Sequence, residues 1–186
     1  MSILSIYGEQ GGVSPDVLTG LDGIAERLKE IGVRFERWTA GFEFAADTSD
    51  TDILNAYRDS IDRLKQFYGF QSEDVISVKA DHPDRVALRA RFLREHTHSD
   101  FEVRFFVEGR GLFFLHPDDH VYAVLCERGD LISVPANIKH WFDMGESPDL
   151  KCIRLFTTPE GWVADYTGSD IAEKFPRLER FLGEFA

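Results

Sequence analysis

A chain of 186 residues with 43% hydrophobic content suits one domain, able to bury roughly two-thirds of the surface its unfolded form exposes without disulfide or metal staples. Its net charge of -12 repels polyphosphate backbones and anionic lipid, and no concentrated basic patch offsets it, so nucleic acid and membrane are excluded as expected partners in favour of a small molecule. No run approaches the roughly 18 apolar residues of a membrane span, the first residues lack a secretory pattern, and Cys126 and Cys152 lack CxxC spacing, so buried reduced thiols in a cytoplasmic protein are expected.

In chain order, Ser14 as N-cap, Pro15 at the first position and Gly32 as the stop predict a helix over residues 16–31. Residues 33–38 alternate as a strand. Ile53, Tyr57, Ile61, Leu64 and Tyr68 form one apolar stripe at helical spacing, ending at Gly69. A strand over 74–78 leads through His82-Pro83, expected in a loop, to a short helix ending near Phe92. From Phe101 the texture changes to short strands separated by expected turns at Gly109-Arg110-Gly111, Pro117-Asp118-Asp119, Gly129-Asp130 and 145–148. His116 and His120 flank the second of these and are expected in a solvated turn. Leu178, Phe181, Leu182 and Phe185 mark a C-terminal helix lying on the strands, with a dimer contact as the other reading. The class is mainly β with helices (α+β). One domain spans 1–186: a helix-rich part to about 93, a barrel core over about 94–166 and a helical tail over about 167–186. A monomer is expected.

The chemistry concentrates where helix gives way to strand. His96-Thr97-His98 followed by Glu102 places three good metal ligands in a short segment, and strand geometry turns alternate residues to one side: His96 with His98, and Glu102 with Arg104 and Phe106. A carboxylate and an arginine on an otherwise apolar strand are costly to bury without a task, and a cation supplies one for Glu102. His140 follows Glu102 by 140 - 102 = 38 residues, enough for three or four short strands, and the segment from Gly129 through Pro135 and Asn137 could return it to the first motif. Three neutral imidazoles and one carboxylate leave a divalent ion with a net charge near +1 and, in octahedral geometry, two open positions able to grip a chelating dianion. Donor type alone leaves Fe, Ni, Cu and Zn open.

The pattern His96-x-His98-x3-Glu102-x6-Gly109 with Gly129-x5-Pro135-x-Asn137-x2-His140 resembles the two motifs of the cupins, which implies a double-stranded β-helix, a jelly-roll barrel, with a helical N-terminal cap and a C-terminal helix. Ala90 stands where that pattern has its first glycine, a glycine near Asn137 is missing, and Met144 replaces a frequent asparagine; these departures touch turns, not ligands. Residues 95–98, 102–109, 131–135 and 140–145, with 32–38 and Pro159-Glu160-Gly161-Trp162, are more specifically similar to the bacterial acireductone dioxygenase family. The resemblance implies a metal-dependent dioxygenase of methionine salvage, using one Fe(II) or Ni(II) per chain and cleaving 1,2-dihydroxy-3-keto-5-methylthiopentene with O2. The Fe(II) form is expected to give 2-keto-4-methylthiobutyrate and formate, the Ni(II) form methylthiopropionate, CO and formate. A sugar-phosphate isomerase or a non-catalytic metal-binding cupin are the alternatives. His96, His98, Glu102 and His140 are then the metal ligands, and Arg104 stabilises the substrate dianion unless it serves only as a salt bridge. Glu95 is implied in metal incorporation, against a surface carboxylate at a helix end. Phe106, Phe142 and Trp162 are expected to wall the substrate pocket, with ordinary core packing as the other reading. Relatives often carry an acidic residue before the ligand glutamate; Phe101 stands there, so that role is not transferred.

Overall fold

The computed structural model describes residues 1–11, 16–45, 47–158 and 162–185. Their elements are β1 (Ile3–Gly8), β2 (Val17–Leu18), α1 (Leu21–Glu30), β3 (Arg34–Arg37), α2 (Asp50–Ala56), α3 (Arg58–Tyr68), β4 (Ser72–Lys79), α4 (Arg85–Phe92), β5 (His96–Thr97), β6 (Glu102–His116), β7 (His120–Glu127), β8 (Asp130–Val134), β9 (Lys139–Asp143), β10 (Asp149–Phe156) and β11 (Asp165–Tyr166). A short 3-10 turn (Ile171–Lys174) and α5 (Leu178–Gly183) follow. Every described strand pair is antiparallel.

The 15-residue β6 organises the sheets. Its first half pairs with β10 and β8, in the order β4-β10-β6-β8-β3; its second half pairs with β9 and β7, in the order β11-β5-β9-β6-β7-β1-β2. The result is a cupin-type jelly-roll sandwich that the described strands do not close into a hydrogen-bonded ring. Between the sheets lie Leu4, Phe106, Phe113, Ile132, Phe142 and Cys152. Alternate residues face outward: Val103, Phe105 and Val107 meet Ile53, Tyr57, Ile61 and Leu64 of α2 and α3, while Leu112, Phe114 and Trp141 meet Phe175, Leu178 and Phe181 of the tail. Because both faces of β6 are covered, it reads as a nearly continuous apolar run rather than as a clean alternation.

Four expectations need correction. Gly109-Arg110-Gly111 is not a turn but the bend within β6: Gly109 has φ 72°, and a Cβ there would overlap the Asp149 carbonyl of the neighbouring strand. The register of β10 shifts between Lys151 and Cys152 to follow the bend. The first helix starts at Leu21, because Val17 and Leu18 pair with Ser5 and Leu4 as β2 and Gly20 caps the helix with extended backbone. The Ser14 and Pro15 start signals lie outside the described residues. The single stripe over Ile53–Tyr68 is two helices, broken at Tyr57 (φ -106°, ψ 13°), whose ring is wedged against Phe105 and Phe42. Finally, β1, absent from the sequence expectations, pairs along its length with β7, and β3 and β4 extend the other sheet, so the first half of the chain contributes strands as well as helices. The tail packs on the chain's own sheet, as one of its two readings expected.

Both cysteines are free and buried; burial pushes the Cys152 thiol up to about 12 and Cys126 well above its ordinary value, so both stay protonated and inert. No described helix is long and apolar enough to cross a membrane.

Asp143, at the end of β9, ties the helical elements to the sheet. Its fully buried carboxylate accepts from Arg89 Nε (2.7 Å) and Nη2 (3.0 Å) on α4, Gly145 N (2.9 Å) and Leu178 N (2.9 Å) at the start of α5. Burial pushes its pKa up, but Arg89 and the two backbone N–H groups outweigh burial, and the net shift is downward. A depressed carboxyl contributes stability that is complete above the unfolded value near about 4 and disappears as pH falls through the folded value. Arg89→Met should therefore cost about 3–5 kcal/mol near neutral pH. Urea unfolding should show that loss shrinking below about pH 4; a loss that stays constant with pH would contradict the role given to this pair.

Candidate metal centre

Three strand segments bring the donors together. His96 on β5 lies directly opposite His140 on β9, Glu102 opens β6, and His98 stands in the connection between β5 and β6. The return of His140 is fixed by Asn137, whose positive φ of 66° makes the turn that a glycine would otherwise make and whose N–H donates to His98 O (2.8 Å). All four residues are buried, Glu102 to 2% exposure, and one ligand atom from each lies within 4.8 Å of the others.

Hydrogen bonds set the tautomers. Nδ1 of His96 meets Arg94 O (2.7 Å), Nδ1 of His98 meets Val163 O (3.0 Å) and Nδ1 of His140 meets Ile138 O (2.7 Å). A carbonyl only accepts, so Nδ1 carries the proton in each ring and donates it, and the Nε2 lone pairs are left for a cation. His98 Nε2 and His140 Nε2 both stand 3.0 Å from Glu102 Oε2. Electron-pair donors so close repel unless a proton or a metal ion lies among them. Burial, followed by the neighbouring His140, lowers His96 to about 4, which keeps it a neutral ligand. For Glu102 burial acts upward, but Arg104 and the histidine hydrogen bonds hold it well below the usual carboxylate range. His98 is raised: burial opposes its charge, yet the bond to Glu102 prevails, so a proton there balances the carboxylate when no metal does. The donor chemistry fits a divalent transition metal, whose binding would release that proton.

The ARD/ARD' family model matches residues 13–164. The chain is 66% identical to the acireductone dioxygenase of Methylococcus capsulatus over 186 residues, covering all of both chains, and 61% identical to that of Aquifex aeolicus over 182 residues, or 98% of this chain and 99% of the relative. The chain belongs to the ARD/ARD' family. The solved acireductone dioxygenase of Bacillus anthracis, with a cadmium ion in its active centre, matches with a TM-score of 0.79 and 31% identity over 89% of this chain and 98% of that one.

Around this ARD-family centre is a cavity of about 160 Å³. Arg104, 4% exposed, donates from Nε to Glu102 Oε1 (2.8 Å), so the salt-bridge reading describes one side of its guanidinium. The rings of Phe142 (4.7 Å), Phe113 (5.3 Å), Phe92 and Trp162 (both 5.6 Å) surround it, and its buried Nη1 has no partner among the described residues. Phe142 and Trp162 line the cavity, with Trp162 stacked on His98 at 5.8 Å. The Pro159-Glu160-Gly161 turn expected before Trp162 lies outside the described residues. Phe106 is not a wall residue: it is fully buried between the sheets beneath Arg104, because the strand face that carries Glu102 and Arg104 runs inward to the core.

Glu95 is neither a ligand nor a surface carboxylate. At 3% exposure its Oε1 pairs with His116 Nδ1 (2.7 Å) and its Oε2 accepts from Thr167 Oγ1 (2.6 Å), which fastens the chain after β11 to β5. His116 is therefore a correction: it is buried at 3%, drawn in by a non-local carboxylate, while His120, the first residue of β7, is exposed beside the turn over 117–119. His82 is in an exposed loop. Phe101, half-buried, packs on Tyr68 at 5.9 Å and its carbonyl accepts from Trp162 Nε1 (2.8 Å). Sequence reasoning missed Phe92, Arg91, Arg154 and Tyr166 as cavity residues. Arg154 carried a usable signal, a second arginine within an apolar strand.

Metal should stabilise the fold by about 4 kcal/mol when present at roughly 1,000 times its Kd, and chelation should remove that increment. His140→Ala should bind at least about 10–100-fold more weakly. Metal content and thermal unfolding check both, and an unchanged melting temperature of the wild type on metal removal would contradict the site.

Proposed function

We propose that this chain is an acireductone dioxygenase of methionine salvage, acting on 1,2-dihydroxy-3-keto-5-methylthiopentene and O2 through one Fe(II) or Ni(II) held by His96, His98, Glu102 and His140. The observation that carries the reading is the convergence of three imidazole nitrogens and a carboxylate at the end of a cavity walled by aromatic rings and arginines. In this reading residues 1–186 work as a single domain.

A bound divalent cation supplies acidification of the enediol and positions for two of its oxygens. Each Nδ1–H, tied to a backbone carbonyl, fixes its imidazole's orientation and leaves Nε2 as the donor atom. Arg104, anchored by Glu102 and enclosed by rings, keeps an unpartnered Nη1 that can donate to an enediolate oxygen. Phe142 and Trp162 exclude water, which strengthens that charge-assisted bond and suits the apolar methylthio end. Glu95, turned away from the donors, assists metal loading by fixing the backbone beside His96. The cavity arginines would also suit an isomerase acting on a phosphorylated sugar, a reaction that consumes no O2.

Apo-protein loaded separately with Fe(II) and Ni(II) should take up O2 with the acireductone. The Fe(II) form should yield 2-keto-4-methylthiobutyrate and formate, the Ni(II) form methylthiopropionate, CO and formate. Absence of O2 uptake with both metals would overturn the reading. Arg104→Ala should retain metal but lower kcat/KM about 10–100-fold; full turnover would remove Arg104 from the substrate site.

A further inference from the structure

Across the sheet built on β4, β10 and β6, three charged residues stand in one row: Asp74 opposite Arg154, and Arg154 opposite Arg104. Like charges directly across an antiparallel pair destabilise it. Only one of the two arginines is neutralised within the cavity, Arg104 by Glu102, and Glu102 is committed to the metal. Arg154 leans outward to Asp74, donating from Nε (2.8 Å) and Nη2 (2.5 Å), and lies 5.4 Å from the Trp162 ring and 5.3 Å from that of Phe156. Its guanidinium is thus held in place while still lining the cavity. Arg91 lines the same cavity and has no ion-pair partner among the described residues, and Glu102 is the sole carboxylate in the described lining. In a chain of net charge -12 this is a local reversal of sign with a cross-strand repulsion built into it. An anion between the two arginines would relieve that repulsion, and the buried Nη1 of Arg104, which has no partner among the described residues, is a donor for such a guest.

We propose that Arg154, positioned by Asp74, is a second cationic contact for the anionic substrate, and that with Arg91 it sets the preference of the cavity for doubly charged enediolates. This rests on the dioxygenase reading for the identity of the substrate, but not for the anion site itself. Arg154 selects and holds the guest; the chemistry belongs to the metal centre.

Oxalate, a planar chelating dianion, serves as a probe that needs no turnover. Titrated into the Ni(II)-loaded protein, it should bind about tenfold more weakly to Arg154→Gln, with a flatter dependence on salt. Asp74→Asn removes a negative charge, so a diffuse field effect would tighten oxalate binding; positioning of Arg154 by Asp74 requires it to weaken. Arg63→Gln, the same charge change as Arg154→Gln but at a distant exposed site, should leave binding as it was. With acireductone, Arg154→Gln should raise KM about tenfold and affect kcat less. Unchanged oxalate affinity in Arg154→Gln, or tighter binding in Asp74→Asn, would overturn the proposal. A wild type that binds oxalate in this Arg154-dependent way yet consumes no O2 would refute the dioxygenase reading and leave the anion site standing.

Discussion

Three imidazole nitrogens and one carboxylate oxygen turned toward a common point create a repulsion that the rest of the molecule is arranged to hold. Glu102 Oε2 stands 3.0 Å from two Nε2 atoms, inside a region almost closed to water, and only positive charge makes that arrangement tolerable. The backbone carbonyls of Arg94, Ile138 and Val163 keep the rings from escaping by rotation. Arg104 supplies permanent positive charge on one side of Glu102, and a cation or a proton supplies it on the other.

The fold serves this by making β6 belong to two sheets. The bend at Gly109 lets the strand carry Glu102 and Arg104 on the inner face of one sheet and still pair with β9, which bears His140, in the other. Gly111 is required for a related reason, since a Cβ there would collide with the Phe142 ring. Helices α2 and α3 cover the outside of one sheet and the C-terminal helix the outside of the other. The buried Asp143 then fastens α4 and α5 to the end of β9, and Glu95 fastens the chain after β11 beside β5.

The local part of this design could be read from the sequence. His96, His98 and Glu102 are close in the chain, and strand periodicity alone puts Arg104 on the same face as Glu102; the return of His140 followed from the turn residues before it. What could not be read depended on partners distant in sequence. The double glycine at 109–111 carries the composition of a turn, and only the Asp149 carbonyl pressed against it shows that it is a bend. His116 has the local composition of a turn, and the carboxylate that buries it, Glu95, comes from the distant connection between α4 and β5. Phe106 shares the face of the ligands but lies a layer deeper, a distinction that periodicity does not make. Arg154 gained its meaning only from standing across from Arg104.

The most direct test of the central claim is X-ray absorption at the metal edge of the Ni(II)-loaded protein. The account predicts three imidazoles, one carboxylate oxygen, and light-atom ligands in the remaining positions that exchange when a chelating dianion is added. Fewer than three imidazoles, or a coordination shell that the dianion leaves unaltered, would contradict it.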